Sequence, residues 1–432
     1  MQTESVDNPI KERIVRGTLA NGMTVLLNPR PGFTRTFGVV STRFGSLDNR
    51  MPGTGQRFPD GVAHFLEHKL FEDEDGDVSL RFSERGASCN AGTEFTKTSY
   101  HFSCVDQVEA NLDTLLRFVL QPYFTDESVA KEQGIIEQEI RMYDDDADWR
   151  IFFQLLESMY HQHPVRLNIA GSVESIREIT PETLYQCHRV FYHPANMVLS
   201  VSGGFDEERV LQQLGATVDS LPANEGSAFQ RPRVPEPAGI LRQRQELAFA
   251  VSRPMAYLGF KDQALSADPA VSFRRDMVSR LLLDVLFSQS SDYHQSLYES
   301  GAIDDTFDAS YSGEDDFGFT ALASECDDPD AWQAAMFETL ADASKKGIPE
   351  DGFSRMRRRF LGRYIRTFNS VEATAGSLVG CHFRGIEITK FLDLANSITS
   401  ADLEERLREH LQPEQSSLSI LWPLEHPRAQ AS

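Results

Sequence analysis

Five consecutive residues, His64-Phe65-Leu66-Glu67-His68, carry the residue types that hold a metal ion and move a proton. The stretch around them, residues 60 to 71, reads as a helix. There His64 and His68 stand at i and i+4, one turn apart, so both imidazoles leave the same face. Two neutral imidazoles so placed can share one zinc ion at Zn–N distances of about 2.0–2.1 Å. Glu67 follows His64 by three residues and leans toward that face, where it could take a proton from a water held by the ion without being a ligand. The order is H-x-x-E-H, the reverse of the commoner H-E-x-x-H.

A catalytic zinc needs a third protein ligand and an open position. The segment KEQGIIEQEIRMYDDD, Lys131 to Asp146, offers Glu132, Glu137 and Glu139 on a second helix. Glu132 and Glu139 lie two turns apart and share a face, whereas Glu137 points well away from it. Glu139, beside Ile135, Ile136 and Ile140, is the expected third ligand. Glu132 then stands behind the ligands, where a carboxylate can orient a ligating histidine. The competing view is two ordinary helix histidines and a solvated acidic face. The helical context and the Ile-flanked acid pair weigh against it.

The elements that must carry these residues are legible in outline. A chain of 432 residues suits two domains of roughly 200 residues each. Two β-rich runs surround Asn21-Gly22, which favours a tight hairpin turn. FGVVSTRF (37–44) reads as a strand, GASCNAGTEFTKTSYHFSC (86–104) as a strand region, and 106–120 and 126–160 as helical. A helix near 180–190 and the strand 197–202 close the first half. The Pro-dense stretch 221–239 reads as a linker, beyond which strands, a long helix near 268–288, further strands and two helices recur. The expectation is an α+β fold of two similar domains, 1–220 and 240–432, each a mostly antiparallel sheet packed against helices.

Composition narrows the partners. Lys and Arg number 42 against 65 Asp and Glu, a net charge of -23, which repels nucleic acid and anionic membranes. No run approaches the roughly 20 apolar residues of a membrane span, and the polar N-terminus lacks the apolar core of a signal peptide. The five cysteines (Cys89, Cys104, Cys187, Cys326, Cys381) are scattered and form no CxxC. Reduced thiols in a cytoplasmic protein are therefore expected, not a disulfide framework. His161 and His163 read as a surface loop, Arg357 to Arg359 as a solvated or partner-contacting run.

With these marks assembled, the chain resembles the insulinase/pitrilysin family of inverted zinc peptidases, in particular its small two-domain bacterial members. The resemblance rests on LANGMTVLL, GVAHFLEH, NAGTEFTKTSYHF, EQGIIEQEIRMYDDD and FYHPANM, clearest over residues 14–204. It implies Zn2+ held by His64, His68 and Glu139, Glu67 as general base, and Glu132 as supporting acid. It further implies an edge strand at Ser88, Cys89, Asn90, Ala91 and Gly92 on which extended peptide lies by β-augmentation. A plain buried strand remains the alternative for that segment. Active members present an Arg and a Tyr close together near the substrate carbonyl. The matching stretch, Leu297 to Phe307, has Tyr298 and Asp305 in those places, with Tyr311 as a distant substitute. The resemblance therefore implies a peptidase acting with a homologous zinc-free subunit, a homodimer being the other arrangement. A peptide-holding scaffold subunit is the rival function.

Overall fold

Alternating apolar residues and the turn at Asn21-Gly22 start the chain as antiparallel strands. The computed structural model describes residues 3–6, 11–222, 229 and 231–430. After the short β1 (Thr3–Val6), strands β2 (Ile14–Thr18) and β3 (Thr24–Pro29) form the expected hairpin. Then come β4 (Thr36–Thr42), the small hairpin β5 (Glu72–Asp73) and β6 (Gly76–Asp77), β7 (Ser88–Thr93), β8 (Thr98–Cys104) and β9 (Met197–Gly203). Seven of these make one sheet in the order β1-β2-β3-β9-β4-β8-β7. Its β3–β9 pair is parallel and the other pairs are antiparallel. Strands β4 and β9 are buried along their whole length and form the sheet's centre.

The second sheet is built from β10 (Arg244–Phe249), β11 (Met255–Lys261), β12 (Asp308–Gly313), β13 (Gly318–Glu325) and β14 (Ser416–Pro423). Its order, β10-β14-β11-β13-β12, repeats β3-β9-β4-β8-β7 with the parallel pair in the same place. The chain is thus α+β with two similarly wound domains, as its element order implies.

The two compact units do not divide at the linker alone. One comprises residues 1–140, 168–232 and 364–389; the other 141–167, 233–363 and 390–432. Each sheet therefore takes a helix from the opposite half of the sequence. Helix Val371–Phe383 packs on β9 and β4, and helix Ala147–Met159 packs on β14, β11 and β10. The second contact has a visible cause: a Cβ on Gly259 would come within 2.9 Å of Leu155 and 2.7 Å of Met159, so glycine lets that helix sit against β11. The helical stretch 126–160 is two helices, Asp126–Asp144 and Ala147–Met159. They are separated where Asp146 turns its carboxylate onto the Trp149 N–H (2.7 Å) as an N-cap. Of the linker, residues 223–228 and 230 lie outside the described residues. Among the described residues no helix is long and apolar enough to cross a membrane.

A buried histidine ties two helices of the first unit. His188, on helix Pro181–Phe191, places Nε2 2.8 Å from the Val119 carbonyl and stacks on Tyr192. Burial lowers its pKa to about 4. The unfolded chain gains a proton below about 6.5 and the folded one only near 4, so folding stability falls as pH drops through that window. His382, lowered to about 4 by burial and by Arg16 and Arg43, acts in the same window and direction. In urea titrations of metal-free protein, the share of stability owed to these two histidines should be level above pH 6.5. A loss of at most about 3 kcal/mol per histidine is expected toward pH 4. His188→Gln should remove its share of that slope.

Candidate metal centre

The helix Val62–Lys69 begins at Gly61, whose φ of 88° suits glycine. A Cβ there would lie 2.4 Å from the Ala170 carbonyl oxygen, so the helix start is wedged against the Ala170–Gly171 loop. Ser175 Oγ secures the same corner by donating to the Asp60 carbonyl (2.8 Å). From this fixed start the helix presents His64 and His68 with ring centroids 4.6 Å apart.

Helix Asp126–Asp144 supplies the carboxylates. Glu139 Oε1 lies 3.6 Å from His64 Nε2, and Glu139 Oε2 lies 3.5 Å from His68 Nε2. One donor atom from each of the three residues falls within 4.8 Å of the others. On the far side of the ring, His68 Nδ1 lies 3.1 Å from Glu132 Oε1. That contact puts the proton on Nδ1 and turns the Nε2 lone pair toward Glu139. Glu137 faces away and pairs with Arg177 (2.9 Å). His64, His68 and Glu139 thus converge as the sequence spacing implies, and Glu132 stands behind His68.

The donor set fits zinc. Donors about 2.0–2.1 Å from one tetrahedral ion lie roughly 3.3–3.4 Å apart, close to the two His–Glu139 separations. Three largely buried carboxylates, Glu67, Glu132 and Glu139, surround two imidazoles, an excess of negative charge that calls for a cation. His68 registers that field. Burial works against its cation, but the Glu132 hydrogen bond and the Glu67 and Glu139 charges outweigh it and raise its pKa. Burial also raises the pKa of Glu67, against opposing effects of His64, His68 and Thr93.

Strand β7 ends the sheet and pairs only with β8 among the described strands. Its residues alternate between exposed and half-buried, so it is an open edge and not a buried strand. Glu94 N–H donates to the Lys97 carbonyl (2.8 Å) across the turn. By antiparallel alternation Ser88, Asn90 and Gly92 then bond β8, and Cys89, Ala91 and Thr93 aim their N–H and C=O groups outward. Asn90 Oδ1 takes up the Ala91 N–H (2.9 Å), and a Cβ on Gly92 would meet nothing within 4 Å.

The edge strand implied by the resemblance stops at Gly92 and passes over Thr93, whose Oγ1 lies 3.0 Å from Glu67 Oε2. Sequence reasoning also missed a brace under the β7–β8 turn. Ser46 and Leu47 N–H groups bond the Glu94 and Phe95 carbonyls, and Asp48 accepts the Gly45 N–H. Arg231 then clamps Asp48 with two bonds (2.6 and 2.8 Å) and donates to the Thr96 carbonyl (2.9 Å). Tyr298 and Asp305 are exposed. Tyr311 is buried, donating to Asp262 (2.6 Å) and accepting from Arg275 Nε (3.1 Å), so its hydroxyl is engaged within the second unit.

The Asp48 side chain is fully buried, so removing it would strand the Arg231 charge beneath the turn. Asp48→Ala should cost about 3–5 kcal/mol of first-unit stability in urea unfolding, and Arg231→Ala a similar amount.

Comparison with known proteins gives the same picture over the whole chain. The family model described as "Insulinase (Peptidase family M16)" matches residues 57–173, and "Peptidase M16 inactive domain" matches residues 178–360. The chain is 37% identical over 418 residues, 96% of its length and 97% of the other's, to the "Uncharacterized zinc protease YmfH" of Bacillus subtilis (strain 168). The crystal structure of an M16-like peptidase from Alicyclobacillus acidocaldarius is similar at TM-score 0.92 and 36% identity, covering 97% of this chain and 100% of that one. A protease structure from Helicobacter pylori, at TM-score 0.84 and 18% identity, shares the fold over 95% of this chain and 100% of its own.

Proposed function

Because this chain belongs to the insulinase family, peptidase family M16, we propose that it is a zinc-dependent peptidase that cuts extended peptides or unfolded precursor segments. The observation carrying this reading is the convergence of His64, His68 and Glu139 donor atoms within 4.8 Å, with Glu67 on the same helix. Zinc, when bound there, supplies a Lewis acid and lowers the pKa of a water toward about 7.

The chain's own residues account for the rest. His64, His68 and Glu139 hold the ion, and Glu132 fixes the His68 tautomer. The outward backbone groups of Cys89 and Thr93, with the Ala91 carbonyl, bond a peptide as an added strand, regardless of its side chains. The flanking Ser88, Asn90 and Gly92 leave room for close approach. Glu67 accepts the proton of the attacking water. As the C–N bond breaks, it delivers that proton to the leaving amine.

The stretch Leu297 to Phe307 lacks the Arg and Tyr donors of active relatives, and Tyr311 is engaged elsewhere. That supports a second, homologous zinc-free subunit completing the oxyanion site, with a homodimer as the other arrangement. The same lack favours one rival, a subunit that holds peptide without cutting it. The five cysteines, all free thiols, support a reducing, cytoplasmic setting.

Zinc analysis with a peptide-library digest tests the reading. One zinc per chain and peptide cleavage are expected, with Glu67→Gln keeping the metal and losing cleavage by at least about a thousandfold. His68→Ala should lose zinc, and Glu132→Gln should bind it about 10- to 100-fold more weakly. Cleavage by metal-free protein, or by Glu67→Gln at the normal rate, would overturn the assignment. Zinc-loaded protein that binds peptide but never cuts it, alone or with its co-purified partner, would establish the rival.

A further inference from the structure

The geometry points to Thr93 as a positioning residue that sets which oxygen of Glu67 is free to take a proton. This role rests on Glu67 being the base. Thr93 closes the edge strand β7 and pairs with Thr98 across the hairpin. Its hydroxyl lies 3.0 Å from Glu67 Oε2 and 3.3 Å from Thr98 Oγ1. A hydroxyl has one proton to donate, so the direction of each bond can be worked out. Thr98 Oγ1 is 2.7 Å from the Phe44 carbonyl, which only accepts, so the Thr98 proton is committed there. The Thr93 proton is left to choose between a charged carboxylate and a more distant neutral hydroxyl. It goes to Glu67, since bonds to charged acceptors are the stronger kind.

The consequence is an asymmetric carboxylate. Oε2 is held from the strand side, and Oε1 has no hydrogen-bond partner among the described residues. With Oε2 pinned, rotation about the last side-chain bond of Glu67 is restricted and the carboxylate stays within the field of His64 and His68. Thr98 is fully buried, and the turn that joins it to Thr93 is braced by the Asp48–Arg231 clamp. The donor is therefore anchored from behind. Thr93 also turns its backbone toward the open edge, so the residue that orients the base is one that an added peptide strand would bond. Peptide register and base orientation then share one residue.

The test uses full-length chain carrying Thr93→Val, which keeps the shape and β-branching but not the hydroxyl, and Thr93→Ser, which keeps the hydroxyl. Both should retain one zinc per chain and wild-type peptide affinity, the latter measured in a Glu67→Gln background where turnover is blocked. Thr93→Val should lower kcat roughly ten- to a hundredfold with KM nearly unchanged. Thr93→Ser should restore most of it. Crystal structures of the two variants give a readout independent of turnover: Glu67 should leave its rotamer in Thr93→Val and keep it in Thr93→Ser. An unmoved Glu67 in Thr93→Val overturns the positioning role whether or not the chain cuts peptide. Wild-type kcat in Thr93→Val, with Glu67→Gln inactive, overturns it while leaving the peptidase reading intact. An active Glu67→Gln overturns both.

Discussion

Three carboxylates and two imidazoles crowded into a largely buried cluster make an arrangement that is poorly stable by itself. Glu67, Glu132 and Glu139 repel one another, and burial withholds the water that would screen them. The molecule tolerates this because the positions are imposed from outside. Gly61 wedges one helix against a loop, Glu132 and Glu139 share a rigid helical face, and β7 closes the third side. A divalent cation is the natural counter-charge.

The second unit shows the same scaffold relieved of that strain. It repeats the strand order, and the hairpin loops 94–97 and 314–317 are equal in length. Beneath its hairpin sits an arginine-rich cluster instead of an anionic one. Asp262 is gripped by Arg406 and accompanied by Arg275 and Tyr311, all buried. His410 nearby is kept neutral, its pKa lowered to about 3 by burial and by Arg406. Two arginines face one aspartate there, so the cluster carries no surplus negative charge to attract a metal cation. One fold thus carries a carboxylate-rich cluster in one copy and an arginine-rich one in the other.

The metal cluster was legible because every step in its derivation is local. His64 and His68 are related by one helical turn, Glu132 and Glu139 by two, and periodicity alone aligns them. The edge strand was legible through its likeness to relatives, but its last residue was not. Whether Thr93 touches Glu67 depends on hairpin register and on which face of β7 meets the helix. Asp48 and Arg231 are 183 residues apart, and no spacing rule connects them. The alternation of strands and helices showed two similar domains. It could not show which sheet a given helix covers, because neither the amphipathic pattern of Ala147–Met159 nor the broadly apolar one of Val371–Phe383 names the sheet it meets.

That exchange of helices bears on the order in which the molecule comes into being. The strands and candidate ligands of the first unit have all been synthesised by residue 203, yet β4 and β9 stay bare on one side until Val371–Phe383 is made. Meanwhile Ala147–Met159 waits, apolar face exposed, for a sheet whose last strand ends at Pro423. Neither half can mature during translation of its own segment alone. The first unit is finished only after Val371–Phe383 is made, so a nascent fragment abandoned before it would carry both histidines without the completed framework that holds them.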